Sequence, residues 1–181
     1  DGAGAPAYRG DTAIDGQQIS EVGNLSHSDA RHIIDAAGSV VAPGFIDMHS
    51  HADFSLPVWP TADSMIHQGI TTAVVGQCGL SPGPLLNETR EEFISALTGF
   101  FGAFVRDMPW HEWSSVEDYL AFLLRSGISL NILQLAGQGV IRASVLGFGE
   151  ERANKDQMAK MRNLVDEAMA DGAIGLSTGL I

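Results

Sequence analysis

The stretch Val41-Ala42-Pro43-Gly44-Phe45-Ile46-Asp47-Met48-His49-Ser50-His51-Ala52-Asp53 decides how the chain reads. Phe45 to His49 is an apolar run entering a polar end, the pattern of a buried strand in a parallel sheet. Residues i and i+2 of a strand face the same way, so His49 and His51 project together from its C-terminal end. That end is where α/β proteins assemble their sites. Neutral imidazole is the commonest metal ligand, and two on one face suit a divalent transition metal. The competing use is a pair of polar loop residues, one of them capping the helix that follows. The position at the strand end, behind Pro43-Gly44, favours the metal. Asp53 is placed either to orient a ligand from outside or to serve as an ordinary loop or cap residue.

Moving outward, the chain alternates between strand and helix signals. Residues 60–68 are helix-like and stop at Gly69, and Thr71 to Gly76 is β-branched and strand-like. A Pro/Gly loop over 80–87 leads to helices expected at Arg90–Phe104 and Ser115–Arg125, the second capped by Ser115 with Asp118. Leu130 to Gly137 reads as a third buried strand. Asn154–Asp171 reads as an amphipathic helix stopped by Gly172, and Ala173 to Thr178 as a fourth strand. The order β, α, β, α, β, α, β predicts a parallel sheet with crossover helices. Before residue 43 the signals change to short strands: Asp11–Ile14 and Gln18–Val22 joined by Asp15-Gly16, then Ile33–Asp35 and Ser39–Ala42. The expected organisation is therefore a small β-region over 1–42 and an α/β unit over 43–181.

Composition narrows the function. The chain has 181 residues, 45% of them hydrophobic, with a formal charge of −12 and a sequence pI near 4.6. A mean hydropathy of +0.09 fits a packed globular chain rather than a disordered one. An acidic surface repels phosphate backbones and anionic lipid, so neither nucleic acid nor a membrane is expected as a partner. The most apolar stretch, Phe93 to Val105, is shorter than the ~20 residues a membrane span needs. With no signal peptide or span in view, a cytoplasmic location is expected. The termini read as cut ends, and four strands with open parallel edges predict a poorly soluble, inactive piece when expressed alone.

Cys78, the single cysteine, ends the second strand. A lone cysteine is usually a small buried hydrophobe. At the same sheet end as His49 and His51, however, its thiolate becomes a third metal ligand. Ser177 and Thr178 end the fourth strand and are candidates for contacting substrate or for closing the next turn. Arg142 is expected in a surface ion pair and His67 in a structural role on its helix. His27 and His32 are expected to face solvent, and the tryptophans to pack in the core. His111-Glu112 lacks the second histidine of H-E-x-x-H and is set aside.

These residues resemble the amidohydrolase superfamily. The run from Val41 to Asp53 looks like that superfamily's first barrel strand. Gln68-Gly69-Ile70-Thr71-Thr72 and Gly76-Gln77-Cys78-Gly79-Leu80-Ser81-Pro82 narrow the likeness to the N-acyl-D-amino-acid deacylases (D-aminoacylases). Gly172 to Leu180 is similar to their fourth-strand motif, and Asp1 to Asp11 to the start of their N-terminal β-domain. The resemblance implies an α/β fold: the first half of a (β/α)8 TIM-type barrel, preceded by part of a small β-sandwich. It implies Zn2+, as one or two ions, held by His49, His51, Cys78 and two later histidines. It also implies a proton-handling aspartate beyond residue 181. The family's usual Gly-His-Gly after the third strand is Gly137-Gln138-Gly139 here, which makes Gln138 a candidate for contacting substrate or metal and, if that position tunes either, a source of different specificity. No lysine lies between Ala173 and Gly179, which favours the cysteine variant over a lysine-bridged metal pair.

The implied activity is hydrolysis of the amide bond of a small-molecule N-acyl-D-amino acid, releasing a carboxylate and a D-amino acid. A cyclic-amide hydrolase of the dihydroorotase or hydantoinase kind is the enzymatic alternative. A non-catalytic binding module on the same fold is the other. Acyl preference and oligomeric state are not readable from these residues.

Overall fold

The computed structural model describes residues 4–179. Asp1–Ala3 and Leu180–Ile181, the outer ends of two of the motifs above, lie outside the described residues. The chain divides into two compact units, Asp1–Pro43 and Gly44–Ile181.

In the first unit, β1 (Asp11–Asp15) and β2 (Gln18–Gly23) form an antiparallel hairpin. Its Asp15-Gly16 turn needs a left-handed residue, which Gly16 supplies at φ 62°. The strands expected at Ile33–Asp35 and Ser39–Ala42 do not form. Asp35 Oδ1 accepts the Ala37 N–H and the Ser39 N–H bonds the Ala36 carbonyl, so this segment closes on itself as a turn. Apolar β-branched composition suggested strands here, but a strand needs a partner, and Ile33, Ile34, Val40 and Val41 are all exposed.

The second unit is built on parallel pairing. β3 (Phe45–Asp47) pairs with β4 (Ile70–Val75), and β4 pairs in register with β5 (Asn131–Gln134), Thr72 opposite Asn131 and Val75 opposite Gln134. The third strand is not continuous as expected. It breaks at Leu135, and β6 (Ala136–Gly137) turns to pair with β7 (Leu176–Ser177). Both sides of the break keep their backbone bonds: Leu135 N–H bonds Val75 O, and Ala136 N–H bonds Gly175 O. The fourth strand is correspondingly short.

The helices lie between the strands. α1 (Asp63–Ile66) is a single turn where nine helical residues were expected, and α2 (Arg90–Phe101) stops at Gly102, φ 98°. α3 (Val116–Ser126) carries a complete capping box: Ser115 Oγ accepts from the Asp118 N–H and Asp118 bonds back. α4 (Gln138–Leu146) directly follows β6 and was not foreseen, because its Gly-Gln-Gly start disguises a helix. α5 (Lys155–Ala170) has a second capping box, from Asn154 and Gln157.

The main core gathers Val75 of β4, Phe93 and Leu97 of α2, Tyr119 and Leu123 of α3, and the Trp110–Trp113 pair. Burying such side chains contributes ~1.5–3 kcal/mol each. A smaller cluster joins Val116, Ala136, Ile141, Ala168 and Ala173, seating α4 and α5 beside β6. Among the described residues no helix is long and apolar enough to cross a membrane.

Candidate metal centre

Two strand ends meet at the site. β3 stops at Asp47 and the chain continues through His49-Ser50-His51, held to β4 by the Ser50 N–H to Val74 O bond. The imidazoles of His49 and His51 lie edge to face with centroids 5.9 Å apart. Neither ring caps the short 3-10 turn at Ala52–Phe54; the Ser50 hydroxyl accepts the Ala52 N–H instead. The histidines are thus free of the capping role that sequence left open.

After β4 the chain turns through Gly76-Gln77-Cys78-Gly79. Gly76, Cys78 and Gly79 all take left-handed backbone, with φ of 79°, 55° and 75°. For Cys78, an L-residue with a Cβ, that conformation costs ~1–2 kcal/mol. The turn aims the thiol back at the first strand: Cys78 Sγ lies 3.3 Å from His49 Nε2. One ligand atom from each of His49, His51 and Cys78 falls within 4.8 Å of the others. Two imidazoles and a thiol at that spacing match the ligand chemistry of zinc and related transition ions.

His51 is half-buried, and its Nδ1 has no hydrogen-bond partner among the described residues. Burial first, and the neighbouring His49 ring second, hold its pKa below 6.5, which keeps the imidazole in the neutral form that ligates. Phe101 packs 5.4 Å from the His51 ring and stacks on Phe54 at 4.9 Å, so an apolar wall backs the histidine.

Among the described residues Asp53 makes no hydrogen bond to either histidine. It is fully buried, and its Oδ2 accepts the Gly76 N–H at 3.0 Å, tying the first loop to the start of the cysteine turn. Burial pushes its carboxyl up to about 8, against the lowering effect of the Gly76 N–H. Its backbone carbonyl takes the Tyr119 hydroxyl at 2.7 Å, linking the loop to α3.

Ser177 is buried. Its Oγ accepts the Gly79 N–H at 3.0 Å and donates to the Gly76 carbonyl. Thr178 is exposed next to it. Gln138 opens α4 and is half-buried; that helix's Val140 N–H bonds the Gly79 carbonyl at 3.2 Å. Among the described residues Arg142 makes no ion pair. Its guanidinium donates to the carbonyls of Gly147, Gly149 and Glu151, closing the loop after α4. Sequence reasoning missed the tie between Ser177 and the cysteine turn, which spans 98 residues and has no local signature.

A parallel α/β unit with this His-x-His and cysteine cluster at adjacent strand ends defines a class, the amidohydrolases. Residues 32–180 match the model described as "Amidohydrolase family", and the chain belongs to that family. Within it, the chain is 35% identical to D-aminoacylase of Alcaligenes xylosoxydans xylosoxydans over 179 residues, 99% of this chain and 35% of the relative. A solved structure of D-aminoacylase, from work on its binuclear metal center, matches with a TM-score of 0.85 at 36% identity, covering 99% of this chain and 36% of that one. N-acyl-D-glutamate deacylase from Bordetella bronchiseptica, complexed with zinc and a phosphonate mimic of the tetrahedral intermediate, matches with a TM-score of 0.84 at 32% identity, over 99% and 36% of the two chains. The chain thus spans 35% of the length of the D-aminoacylase it matches.

Proposed function

We propose that this chain supplies part of the metal centre of a hydrolase that cleaves the amide bond of N-acyl-D-amino acids. The observation that carries the reading is the convergence of His49, His51 and Cys78, whose ligand atoms lie within 4.8 Å of one another. The resident ion is proposed to be zinc, matched by the mixed nitrogen and sulfur donors. A zinc ion bound there supplies a Lewis acid for the acyl carbonyl and lowers the pKa of water. The residues of this chain hold and shape that centre. With the ion bound, Cys78 would ligate through its sulfur, and the Phe101–Phe54 stack packs against the His51 ring. The proposed architecture is the first half of a (β/α)8 barrel following residues 1–42 of a small β-sandwich, supported by the parallel pairing of β3, β4 and β5.

The test uses the full-length protein, purified and analysed for metal, with N-acetyl-D-amino acids, their L-enantiomers, dihydroorotate and a hydantoin. Release of free amine from the D-substrates alone, abolished by a chelator and restored by Zn2+, is the expected result. Turnover of the cyclic amides instead assigns the cyclic-amide alternative, and metal-free protein without activity assigns a binding module.

A further inference from the structure

The cysteine turn is strained and yet aimed. Three of its four residues, Gly76, Cys78 and Gly79, sit in left-handed backbone, so the turn holds its shape only if its own polar groups are pinned. One hydroxyl pins both ends. Ser177 Oγ accepts the Gly79 N–H at 3.0 Å and donates to the Gly76 carbonyl, bridging the residues on either side of the Gln77-Cys78 pair. A serine hydroxyl has one donor and two acceptor sites, and here its donor and one acceptor go to the same turn. Other groups of the turn are held from elsewhere: Asp53 Oδ2 accepts the Gly76 N–H, Val140 N–H bonds the Gly79 carbonyl, and Gln77 Nε2 donates to the Met48 carbonyl at 2.9 Å. Ser177 is buried, and its strand β7 is itself fixed to β6 through the Gly137–Ser177 pair.

We propose that Ser177 is a positioning residue that presets Cys78 as a metal ligand, fixing the thiol toward His49 before any ion arrives. The proposal rests on the metal-centre reading above. It gives Ser177 a role inside the turn, to which the hydroxyl's donor and one of its two acceptor sites go. Truncating it leaves the Gly76 carbonyl and the Gly79 N–H without their partner in a buried turn, and the thiol loses its fixed direction.

The experiment titrates full-length metal-free protein with Co2+ and reads the thiolate-to-cobalt charge-transfer absorption together with the dissociation constant. Wild type must show the band; its absence overturns the metal-centre reading itself. Given the band, Ser177→Ala is expected to bind Co2+ ~10–100-fold more weakly, with the band diminished or shifted, as for loss of an outer partner of a metal ligand. Ser177→Thr, which keeps the hydroxyl, is expected to recover most of both. An unchanged band and affinity in Ser177→Ala, with only a lowered melting temperature, overturns the proposal. Should the alanine variant fail to fold, hydrogen exchange of the Gly79 amide in metal-free wild type decides. A preset turn requires protection of about 100-fold or more, and exchange at the rate of an open loop overturns the proposal.

Discussion

Cys78 Sγ lies 3.3 Å from His49 Nε2, although the two residues are 29 positions apart and leave different strands. That pair and His51 offer three donors on a backbone that needs no rearrangement to bring them together. Removing any one should therefore cost more metal affinity than the ~10–100-fold typical of an outer partner. His49→Ala, His51→Ala and Cys78→Ala are each expected to lose bound metal, read as metal per protein after dialysis, and to lose the proposed amide hydrolysis with it. A Cys78→Ala protein that retains a full complement of metal would exclude the thiol as a ligand.

The cap of α3 gives a prediction in pH. The N–H groups of Ser114 and Ser115 donate to the Asp118 carboxylate and hold its pKa below 3.8. A depressed carboxylate stabilises the fold in full above the unfolded value, and that contribution is lost as pH falls through the still lower folded value. Asp118→Ala should lower stability by ~0.5–1 kcal/mol near pH 6, in the range of a lost helix cap. The gap from wild type should narrow on acidification toward pH 3, followed by thermal melts. A gap that is the same at both ends would mean that the charge of Asp118 plays no part.

The parallel order of strands and the three candidate ligands were legible because each leaves a local trace. Phe45-Ile46-Asp47 and Ile70–Val75 are apolar and β-branched, and His-x-His needs only a two-residue period. The capping box at Ser115 is equally local. What escaped reading depends on partners far along the chain. The break at Leu135 follows from where β7 arrives, and the strands expected at 33–35 and 39–42 fail for want of a partner to pair with. Asp53 was legible as a residue near the ligands but not as the acceptor for Gly76, because nothing in its neighbourhood marks the approach of a turn 23 residues later.

Gly76 is the tightest point of the cysteine turn. Its φ is 79°, and a Cβ there would run into the Leu135 carbonyl and reach 2.6 Å from Gln134 Nε2. Gly76→Ala combines a left-handed L-residue, ~1–2 kcal/mol, with a backbone clash against Leu135 at the break between β5 and β6. It should destabilise the protein by ~2 kcal/mol or more, in line with other strained backbone sites. It should also weaken metal binding by shifting Cys78, measured by denaturant melts and by Co2+ titration of the same preparation. Wild-type stability in Gly76→Ala would mean that the turn has slack.

Asp53 separates a need for an acceptor from a need for charge. Its Oδ2 takes the Gly76 N–H in a site with no exposure, and burial drives its carboxyl up to about 8, toward the neutral form at pH 7. An asparagine presents a neutral carbonyl of the same size at that position. Asp53→Asn is therefore expected to fold and to bind metal close to wild type. Asp53→Ala leaves a buried N–H unpaired and should cost ~1–3 kcal/mol. Loss of the Gly76 tie should also reduce metal affinity, since the same turn carries Cys78. Denaturant melts and metal titration of the two variants at pH 7 distinguish the cases: if asparagine proves as damaging as alanine, the site depends on the carboxylate rather than on an acceptor for Gly76.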